Sequence, residues 1–510
     1  MENIIPKEWI ECKLCDIAKW GSGGTPKSDI QEYYNGEIPW IIIGDLNDSY
    51  IYSSTKKITE LGLKNSSAKM VKPDSILIAM YGSIGKLGIN KIPLATNQAI
   101  AFTEILFSGT FNIFLFYYLL FVRKDLINCG KGGTQSNISQ TVLKDFDFIL
   151  PPLAEQKEIV KRIEELFSDL DNGVESLKKA KEQIKIYRQS VLKNAFEGKL
   201  TEKWREENPD KLESPEILLE KIKQAREEHY QKQMEEWEQK IKEWEEKGKE
   251  GKKPIKPRPP KLFSKLTEDD FEGISTLPFN WIWEKLGNIT FLITDGTHLK
   301  PDYTEFGVPF LSVKNVRPNI IKDEDIKYIS IEQHSEYIRR CKVEPRDILY
   351  TKVGATYGYA AINNLNYDFS IYVSLCLIKY PQQIILPKFI SYCMNSKIIY
   401  NQAQKRIKGI GRPDLHLEEI SEFYFPLVSI EEQQKIVIEI EDKMSVCDKM
   451  EEAIDEDLKK AELLRQSILK KAFSGELTKE WRKNNPDLIT GENSAENLLK
   501  KIKAEKEAQK

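Results

Sequence analysis

Two short segments of the chain combine glycines with a lysine, a composition with which many proteins hold a phosphate group. Residues 82–86 read GSIGK and residues 130–137 read GKGGTQSN. Neither segment has the GxxxxGKS/T spacing of a nucleotide-binding loop, and Leu87 stands where such a loop needs a hydroxyl for its metal ion. Nucleotide binding is therefore not expected at either segment.

The cysteines do not predict a metal or redox site. Cys12 and Cys15 form a lone CxxC pair, whereas a tetrahedral zinc site needs about four ligands. The surrounding pattern WIECKLCDIAKW is typical of a strand rather than of the start of a redox helix. Seven scattered cysteines without a secretory signal indicate a reducing compartment, so we expect a cytoplasmic protein.

No other motif indicates catalysis. The chain lacks a GxGxxG segment between a strand and a helix, the Asn/Asp-Pro-Pro-aromatic motif of adenine methyltransferases, and His-Glu-x-x-His. Its histidines lie far apart in sequence, at His229, His298, His334 and His416. We therefore expect a chain that is not an enzyme and has no metal site and no cofactor of its own.

Polar and basic turns are the better candidates for function. Arg and Lys can contact phosphates or guanine, and Asn and Gln can contact adenine. Although the net charge of −3 does not by itself indicate nucleic acid, local patches can bind it. Ordinary surface loops are the alternative interpretation. The predicted DNA-contacting residues are Lys131, Thr134, Gln135, Asn137, Lys405, Arg406, Lys408, Arg412, Thr25, Lys27, His298 and Lys300.

A long internal repeat must position these turns. Residues 155–210 align with residues 432–487 without a gap, and 24 of the 56 positions are identical. The segments before each copy also correspond, since IPKEWIECKLCDI (5–17) resembles LPFNWIWEKLGNI (277–289). The order is therefore globule, helix, globule, helix.

Each repeated segment has the period of a coiled coil. Apolar residues recur every seven positions, which predicts that the two helices pack against each other, antiparallel because the chain must return. The alternative is two amphipathic helices, each on its own globule. The predicted interface comprises Ile163, Phe167, Leu170, Leu177, Ile184, Arg188 and Val191 in the first copy, and Ile440, Met444, Ile454, Leu458, Arg465 and Ile468 in the second.

The remaining segments are predicted from composition. Gly198 and Gly475 are expected to end the two helices. Residues 201–265, rich in Glu and Lys, predict a solvated helical hairpin with a Pro-rich linker, and the segment NLLKKIKAEKEAQK predicts a frayed helix. Phe111–Val122 is apolar but too short to span a bilayer and predicts a core helix. SILIAMYGSIGKLGI (75–89) predicts strand, glycine turn, strand.

The predicted fold is α+β, with two mixed α/β globules, each followed by a long helix, and approximate two-fold symmetry. The predicted domains are the first globule (1–150), the first helix (151–200), the charged spacer and linker (201–270), the second globule (271–427), the second helix (428–475) and the charged tail (476–510). Paired heads suit DNA, whose half-sites are read by paired modules at a fixed spacing. Heads of different sequence predict an asymmetric target.

The chain resembles the DNA-specificity subunit of type I restriction–modification systems. The resemblance rests on GGTP…EYYNGEIPWIIIGDL, GKGGTQSNIS…PPLAEQKEIVKRI, DGTH…GVPFLSVKNV and DILYTKVGAT, and it spans nearly the whole chain. It implies that each globule is a target recognition domain for half of a bipartite site. It also implies that the helices bind two modification subunits, which carry S-adenosylmethionine and methylate adenine. Restriction subunits would carry the ATP- and Mg-dependent translocase and nuclease.

Two other function classes remain open from the sequence. One is a self-contained DNA-modifying enzyme with an unrecognised motif, which predicts that the chain alone binds S-adenosylmethionine or cuts DNA. The other is a coiled-coil scaffold whose heads bind protein. It predicts little salt dependence of any DNA affinity, whereas phosphate contacts predict a steep one.

Overall fold

The computed structural model describes residues 5–130, 137–266, 275–407 and 413–509. Its α-helices, in chain order, are α1 (Leu14–Ile17), α2 (Glu60–Lys64), α3 (Asn112–Phe121), α4 (Arg123–Asn128), α5 (Gln140–Lys144), α6 (Leu153–Phe196), α7 (Glu202–Glu207), α8 (Pro215–Glu246), α9 (Leu286–Ile289), α10 (Ile331–Tyr337), α11 (Pro387–Met394), α12 (Lys397–Arg406), α13 (Leu417–Ser421), α14 (Ile430–Phe473), α15 (Lys479–Asn484) and α16 (Ala495–Ala508). The two long helices, α6 and α14, each have 44 residues, which corresponds to about 66 Å at 1.5 Å per residue.

Residues 5–150 form the first head. Its strands are β1 (Ile10–Lys13), β2 (Ala18–Ser22), β3 (Tyr34–Ile41), β4 (Ser49–Ile51), β5 (Lys56–Ile58), β6 (Met70–Val71), β7 (Ile76–Ala79), β8 (Leu87–Asn90), β9 (Leu94–Thr96), β10 (Ile100–Leu106) and β11 (Asp147–Leu150). They form three sheets with the orders β1-β11, β2-β10-β7-β8-β4 and β5-β3-β9-β6.

Residues 275–427 form the second head. Its strands are β12 (Ile282–Lys285), β13 (Leu292–Asp295), β14 (Val308–Leu311), β15 (Val316–Arg317), β16 (Ile320–Ile321), β17 (Lys327–Ile329), β18 (Ile348–Thr351), β19 (Ala360–Ile362), β20 (Ser370–Ile371), β21 (Leu375–Lys379) and β22 (Tyr424–Leu427). The sheet β13-β21-β18-β19 repeats the order β2-β10-β7-β8 of the first head, and β17-β14-β20 repeats β5-β3-β9. The weak sequence similarity of the two globules therefore reflects a shared framework.

Several local predictions are confirmed. All four residues of β7 are buried, as expected for the continuous apolar run of a central strand. The turn between β7 and β8 uses Gly82 (φ 64°) and Gly85 (φ 77°), a backbone conformation that favours glycine. Gly198 and Gly475 follow the long helices with φ of 75° and 76°. Five of the ten residues of the apolar helix α3 are buried, and all five belong to the core of the first head.

Three expectations from the sequence were wrong in detail. Cys12 lies in β1, but Cys15 lies in α1, because the strand ends one residue before Leu14. Burial raises the pKa of the Cys12 thiol to about 12. The predicted helical hairpin is one helix, α8, followed by an extended segment, because prolines at 254, 257, 259 and 260 exclude a second helix. The predicted frayed helix, α16, is packed on the first head through the buried side chain of Ile502.

The chain forms two compact units that do not follow its linear order. The first unit combines Met1–Lys179 with Ile454–Lys510, and the second is Ala180–Ala453. Each unit therefore contains one head, the start of the long helix that follows this head, and the end of the other long helix. The predicted linear domain boundaries stay predictions.

The long helices run antiparallel within the second unit. Arg188 of α6 donates to Asp448 of α14 at 2.6 Å and to Glu451 at 3.0 Å. Further along the chain, Arg205 pairs with Glu432 at 2.6 Å. Later residues around α6 thus meet earlier residues of α14.

The first unit repeats this pairing with the roles of the helices exchanged. Arg465 of α14 pairs with Asp171 of α6, and its guanidinium lies 4.3 Å from the ring centre of Phe167. Asp171 and Arg465 are the repeat equivalents of Asp448 and Arg188. In each long helix, the arginine that interrupts the apolar seam therefore forms an ion pair with the other long helix.

The ends of the helix seam belong to the head cores. Ile163, Phe167 and Ile468 join the core of the first head, and Val191 and Ile440 join that of the second. Other predicted seam residues are buried, namely Ile184 and Ile454, or half-buried, namely Leu170, Leu177, Met444 and Leu458. Each long helix therefore packs on a head and also on the other long helix, so the structure contains features of both the coiled-coil interpretation and the interpretation as amphipathic helices on globules.

Candidate nucleic-acid interface

A polar cleft opens in the second head, beside the loop that follows β13. Its volume is about 600 Å³. The end of β13, the turn after α10, the residue after β18 and the residues around the start of α13 supply its charged and imidazole side chains. These are Asp295, His298, Arg340, Lys352, Asp414, His416 and Glu418.

The charges in this cleft are arranged around the buried carboxylate of Asp295, whose side chain is 4% exposed. It accepts from Arg340 at 2.5 Å, lies 3.2 Å from the His298 ring nitrogen, and lies 3.4 Å from the ammonium of Lys352. The Lys352 side chain is 7% exposed, and its ammonium also lies 3.7 Å from a second carboxylate, that of Asp414. These contacts offset the cost of burying the charges.

The cleft keeps unused hydrogen-bonding capacity. Among the described residues, the Lys352 ammonium makes ion pairs at 3.4 and 3.7 Å but no hydrogen bond at normal geometry. The buried Oδ1 of Asp414 also has no hydrogen-bond partner there. Lys352 and Asp414 both line the cleft, and a donor beside an acceptor matches the mixed donor and acceptor edge of a base.

The loop after β13 is fixed by backbone contacts. A Cβ atom on Gly296 would lie 2.0 Å from the carbonyl oxygen of Ile371, so the close approach requires glycine. The Thr297 amide donates to the same carbonyl at 3.1 Å. The predicted contact residues His298 and Lys300 follow on the exposed part of the loop.

The equivalent loop of the first head is built in the same way. Gly23 donates to the carbonyl of Ile100 at 3.1 Å, and a Cβ atom on Gly23 would lie 2.2 Å from the carbonyl oxygen of Thr96. Thr25 and Lys27 are exposed, and the Thr25 hydroxyl donates to the side chain of Gln98. The loops thus share a framework and differ in the side chains they expose.

Most of the other predicted contact residues are not described by the structure. Lys131, Thr134, Gln135, Lys408 and Arg412 lie outside the described residues. The side chain of Asn137 is described and half-buried. No contact to DNA is tested for any of them, so their assignment stays a prediction.

Lys405 and Arg406 at the end of α12 have different surroundings. Lys405 is exposed. The guanidinium of Arg406 donates to the carbonyls of Gln402 at 3.3 Å and Glu422 at 3.4 Å, and it lies 5.3 Å from the ring centre of Tyr424. Of the two, Lys405 is therefore the better placed to contact a ligand.

The sequence analysis missed a buried carboxylate at the start of each long helix. In the second unit, Glu432 is fully buried and accepts from Arg205 at 2.6 Å, Thr201 at 2.7 Å, Asn280 at 3.0 Å and Trp281 at 3.1 Å. We call this cluster the second latch. It joins the start of α14, the segment after α6 and the start of the second head.

The first latch is its repeat equivalent in the first unit. Glu155, also fully buried, accepts from Arg482 at 2.5 Å, Thr478 at 2.7 Å and Trp9 at 2.8 Å. The latch positions are mostly identical between the two copies of the repeat, which was the signal that could have found the latches. The pairing of the long helices does not explain all of this sequence identity between the copies, because Thr201, Arg205 and their equivalents lie after the ends of the long helices.

The next residue of each helix ties it to its own head. Gln156 donates to the carbonyl of Gly109 at 3.0 Å and accepts from the Phe111 amide at 2.8 Å. Gln433 makes the equivalent contacts with Ile384 at 2.9 Å and Leu386 at 2.8 Å. Each Glu-Gln pair therefore fixes the orientation of a head on its helix.

Within the described residues, no helix combines the length and apolar composition needed to cross a bilayer. The same part of the chain brings together no group of three or more His, Cys, Asp or Glu side chains that could hold a metal ion.

Comparison with known proteins gives a consistent result. Residues 6–185 and 295–460 match the model of the type I restriction modification DNA specificity domain. The specificity subunit of the type I restriction enzyme EcoBI of Escherichia coli is 27% identical over 99% of this chain and 94% of its own length. That of EcoKI, from Escherichia coli strain K12, is 25% identical over 99% and 97%.

A solved structure shares the fold. It belongs to work on the complex assembly and conformational transition of the type I R-M system, and it matches with a TM-score of 0.58 and 14% identity over 92% of this chain and 98% of that one. The family match covers most of both heads and both long helices. The chain therefore belongs to the family of type I restriction–modification DNA-specificity proteins.

Proposed function

We propose that this chain reads a split, asymmetric DNA target, one part with each head, and directs the chemistry of partner subunits to it. The observation that carries the proposal is the contrast between shared framework and different side chains. Both heads have the same sheet order, latch and fixed loop. The positions of Asp295, Arg340 and Lys352 are Ser22, Ala68 and Met80 in the first head. Different loops on the same framework fit two different half-sites.

The second head offers charges of both signs for this task. Arg340 and Lys352 can donate to guanine or to phosphates, and Asp414 can accept from the amino group of cytosine or adenine. We propose that the cleft and the loop with His298 and Lys300 lie against one half-site, and that the loop with Thr25 and Lys27 lies against the other.

We propose that two modification subunits bind the long helices. Ile186 and Tyr187 of α6 are 70% and 49% exposed in the second unit, and their repeat equivalents, Leu463 and Leu464 of α14, are 70% and 51% exposed in the first. Adjacent exposed apolar side chains are typical of protein interfaces. One such pair in each unit supplies two similar surfaces.

The chain itself is proposed to be non-catalytic. S-adenosylmethionine would be bound by the modification subunits, and ATP and Mg by restriction subunits. The specificity subunits of EcoBI and EcoKI, which this chain resembles over almost its full length, are components of type I restriction enzymes.

A genome-wide map of methylated adenine, made with and without the gene, tests the proposal. We expect a split, asymmetric motif that disappears on deletion. A map that keeps every motif would contradict it. Binding of S-adenosylmethionine by the purified chain alone would favour a self-contained enzyme, and DNA affinity that does not depend on salt would favour a scaffold.

A further inference from the structure

The charged segment between the first long helix and the second head forms an ordered arm. The arm consists of α8 and the extended segment 247–262, which returns along it. The Trp237 indole donates to the carbonyl of Pro254 at 3.1 Å, and the Trp244 indole donates to that of Gly251 at 3.3 Å. These contacts pair the end of the helix with the returning segment.

The base of the arm is anchored on the second head. Leu218 and Ile222 of α8 are buried in its core, and Arg226 donates to the carbonyls of Asn288 at 2.9 Å and Lys261 at 2.8 Å. The helix continues beyond Arg226 to Glu246, which adds about 30 Å at 1.5 Å per residue. A connection between the two anchored ends does not require this length.

The returning segment is strongly basic. Residues 247–261 contain seven cations against the single carboxylate of Glu250, in a chain whose net charge is −3. The cations are Lys247, Lys249, Lys252, Lys253, Lys256, Arg258 and Lys261.

These cations are scarcely neutralised within the protein. The ammonium groups of Lys253 and Lys256 lie over the rings of Trp244 and Trp237, at 5.9 and 5.6 Å from their centres. In the described part of the chain, only Lys252 comes within 4 Å of a carboxylate, that of Glu336, at 3.9 Å and with both side chains exposed. The side chains of all seven cations are therefore available to an anionic partner.

The contact with Glu336 brings the arm close to the cleft. Glu336 lies on α10, and Arg340, about one turn later, donates to the buried Asp295 of the cleft. Arg339 and Lys342 beside it are also exposed. The basic segment of the arm thus continues a basic edge of the cleft, which favours a polyanion that extends from the cleft over a protein surface.

We propose that the returning segment binds the phosphate backbone of DNA next to the half-site read by the second head. This inference rests on the proposed function of the cleft and adds a contact that does not depend on base sequence. Phosphate contacts position a protein on the duplex without specifying bases. The arm therefore sets affinity, whereas the loops of the heads set the motif.

The test compares two triple variants of the full chain in complex with its modification subunits. K247Q/K252Q/R258Q removes three cations of the returning segment and leaves the lysines over the tryptophans in place. K232Q/K240Q/K242Q removes three cations of α8 and changes the net charge equally. The probe is a DNA duplex of scrambled sequence, with affinity measured from about 50 to 200 mM salt, a range over which phosphate contacts change affinity strongly.

We expect the first variant to reduce the slope of log affinity against log salt by about 2 to 3, since each phosphate contact contributes about 0.9. The control should change it by less than about 0.5, and K247R/K252R should behave as the wild type. Equal changes in both triple variants, or none in the first, would overturn the proposal. A loss of affinity for the modification subunits without a change in slope would also overturn it.

The methylation motif distinguishes this inference from the function on which it rests. If the arm binds phosphate, the first variant keeps the wild-type motif at lower occupancy. A complex that methylates no motif contradicts the proposed function, and an unchanged salt slope with a normal motif contradicts the arm alone.

Discussion

The carboxylate of Glu432 accepts hydrogen bonds from four side chains in the second unit, and the guanidinium of Arg205 is among the donors. Its replacement, Glu432→Gln, would leave a largely buried cation without its counter-charge. We expect a loss of about 3 kcal/mol in the free energy of unfolding, typical of breaking a buried charge pair. Urea-induced unfolding followed by circular dichroism measures it.

The matched control is Glu441→Gln on the same helix. Glu441 pairs with Lys388, and both side chains are partly exposed, at 38% and 56%. An exposed pair contributes about 0 to 1 kcal/mol. If the two variants are destabilised equally, the second latch is not a major source of stability.

Lys352 offers a test of the cleft. Lys352→Met removes the buried ammonium and keeps most of the apolar volume. We expect affinity for the target duplex to fall by about tenfold, as for the loss of one good base contact. Met80→Leu, at the equivalent position of the first head, should leave affinity unchanged. A normal affinity of the Lys352 variant would exclude the cleft from recognition.

The stability with which α8 is anchored on the second head is predicted to depend on pH through His229, a residue of α8. Its ring stacks on Phe291 with centres 4.3 Å apart, and burial lowers the pKa of the imidazole below 6.5. The unfolded state then binds the proton more readily than the folded state. Stability conferred by the neutral, stacked ring is full above pH 6.5 and is lost as the pH falls below it.

Amide hydrogen exchange of α8 at pH values of about 7.5 and about 5.5, corrected for intrinsic rates, measures this effect, since the two values lie on either side of the ordinary histidine pKa. We expect faster relative exchange at the lower pH in the wild type. His229→Phe keeps an aromatic ring on Phe291 and cannot titrate, so the difference should disappear. A difference that persists in this variant would assign the pH dependence to another group.

At the scale of elements, the long helices pair with each other and carry the proposed docking surfaces for modification subunits. Ile186→Glu with Tyr187→Glu places two charges on the proposed docking surface of the second unit. We expect one modification subunit to be lost from the complex because burying an unpaired charge is unfavourable. Native mass spectrometry reports the stoichiometry.

The control places the same charges at other exposed positions of α6, with Gln183→Glu and Ser190→Glu. This variant should retain two modification subunits. If both variants retain two, the subunits bind elsewhere on the chain.

The elements also show what the sequence could and could not predict. The period of seven identified both helices, and the glycines identified their ends. The arm was mispredicted because its order depends on contacts of Trp237 and Trp244 with carbonyls that composition does not reveal. The cleft was found only through His298. Asp295 and Lys352 are distant in sequence and are brought together because β13 and β18 both pair with β21. Arg340 joins them from the turn after α10.

At the scale of the whole molecule, the latches make the two helices interdependent. The start of each long helix belongs to one latch, and the segment that follows the same helix belongs to the other latch. Seven residues inserted in α6 alone lengthen it by about 10.5 Å while α14 is unchanged. Both latches cannot then close in register, so we expect this variant to lose stability or assembly.

Insertion of the same seven residues in both helices, after Lys179 and after Glu456, restores equal lengths. If the helices set the spacing of the half-sites, the methylated motif should keep both halves and gain about three base pairs between them, at about 3.4 Å per pair. The methylation map reports the result. An unchanged spacing would contradict the role of the helices as a spacer.

The composition of the first unit affects how the protein is made. The second unit is one continuous stretch and can fold as soon as residue 453 has left the ribosome. The core of the first unit includes Ile468, Phe473 and Ile502, which are synthesised more than 300 residues after its head. At bacterial elongation rates this delay is on the order of tens of seconds. The domain made first is therefore completed last, and a ribosome that stalls late releases a chain whose first head exposes its core to chaperones and proteases.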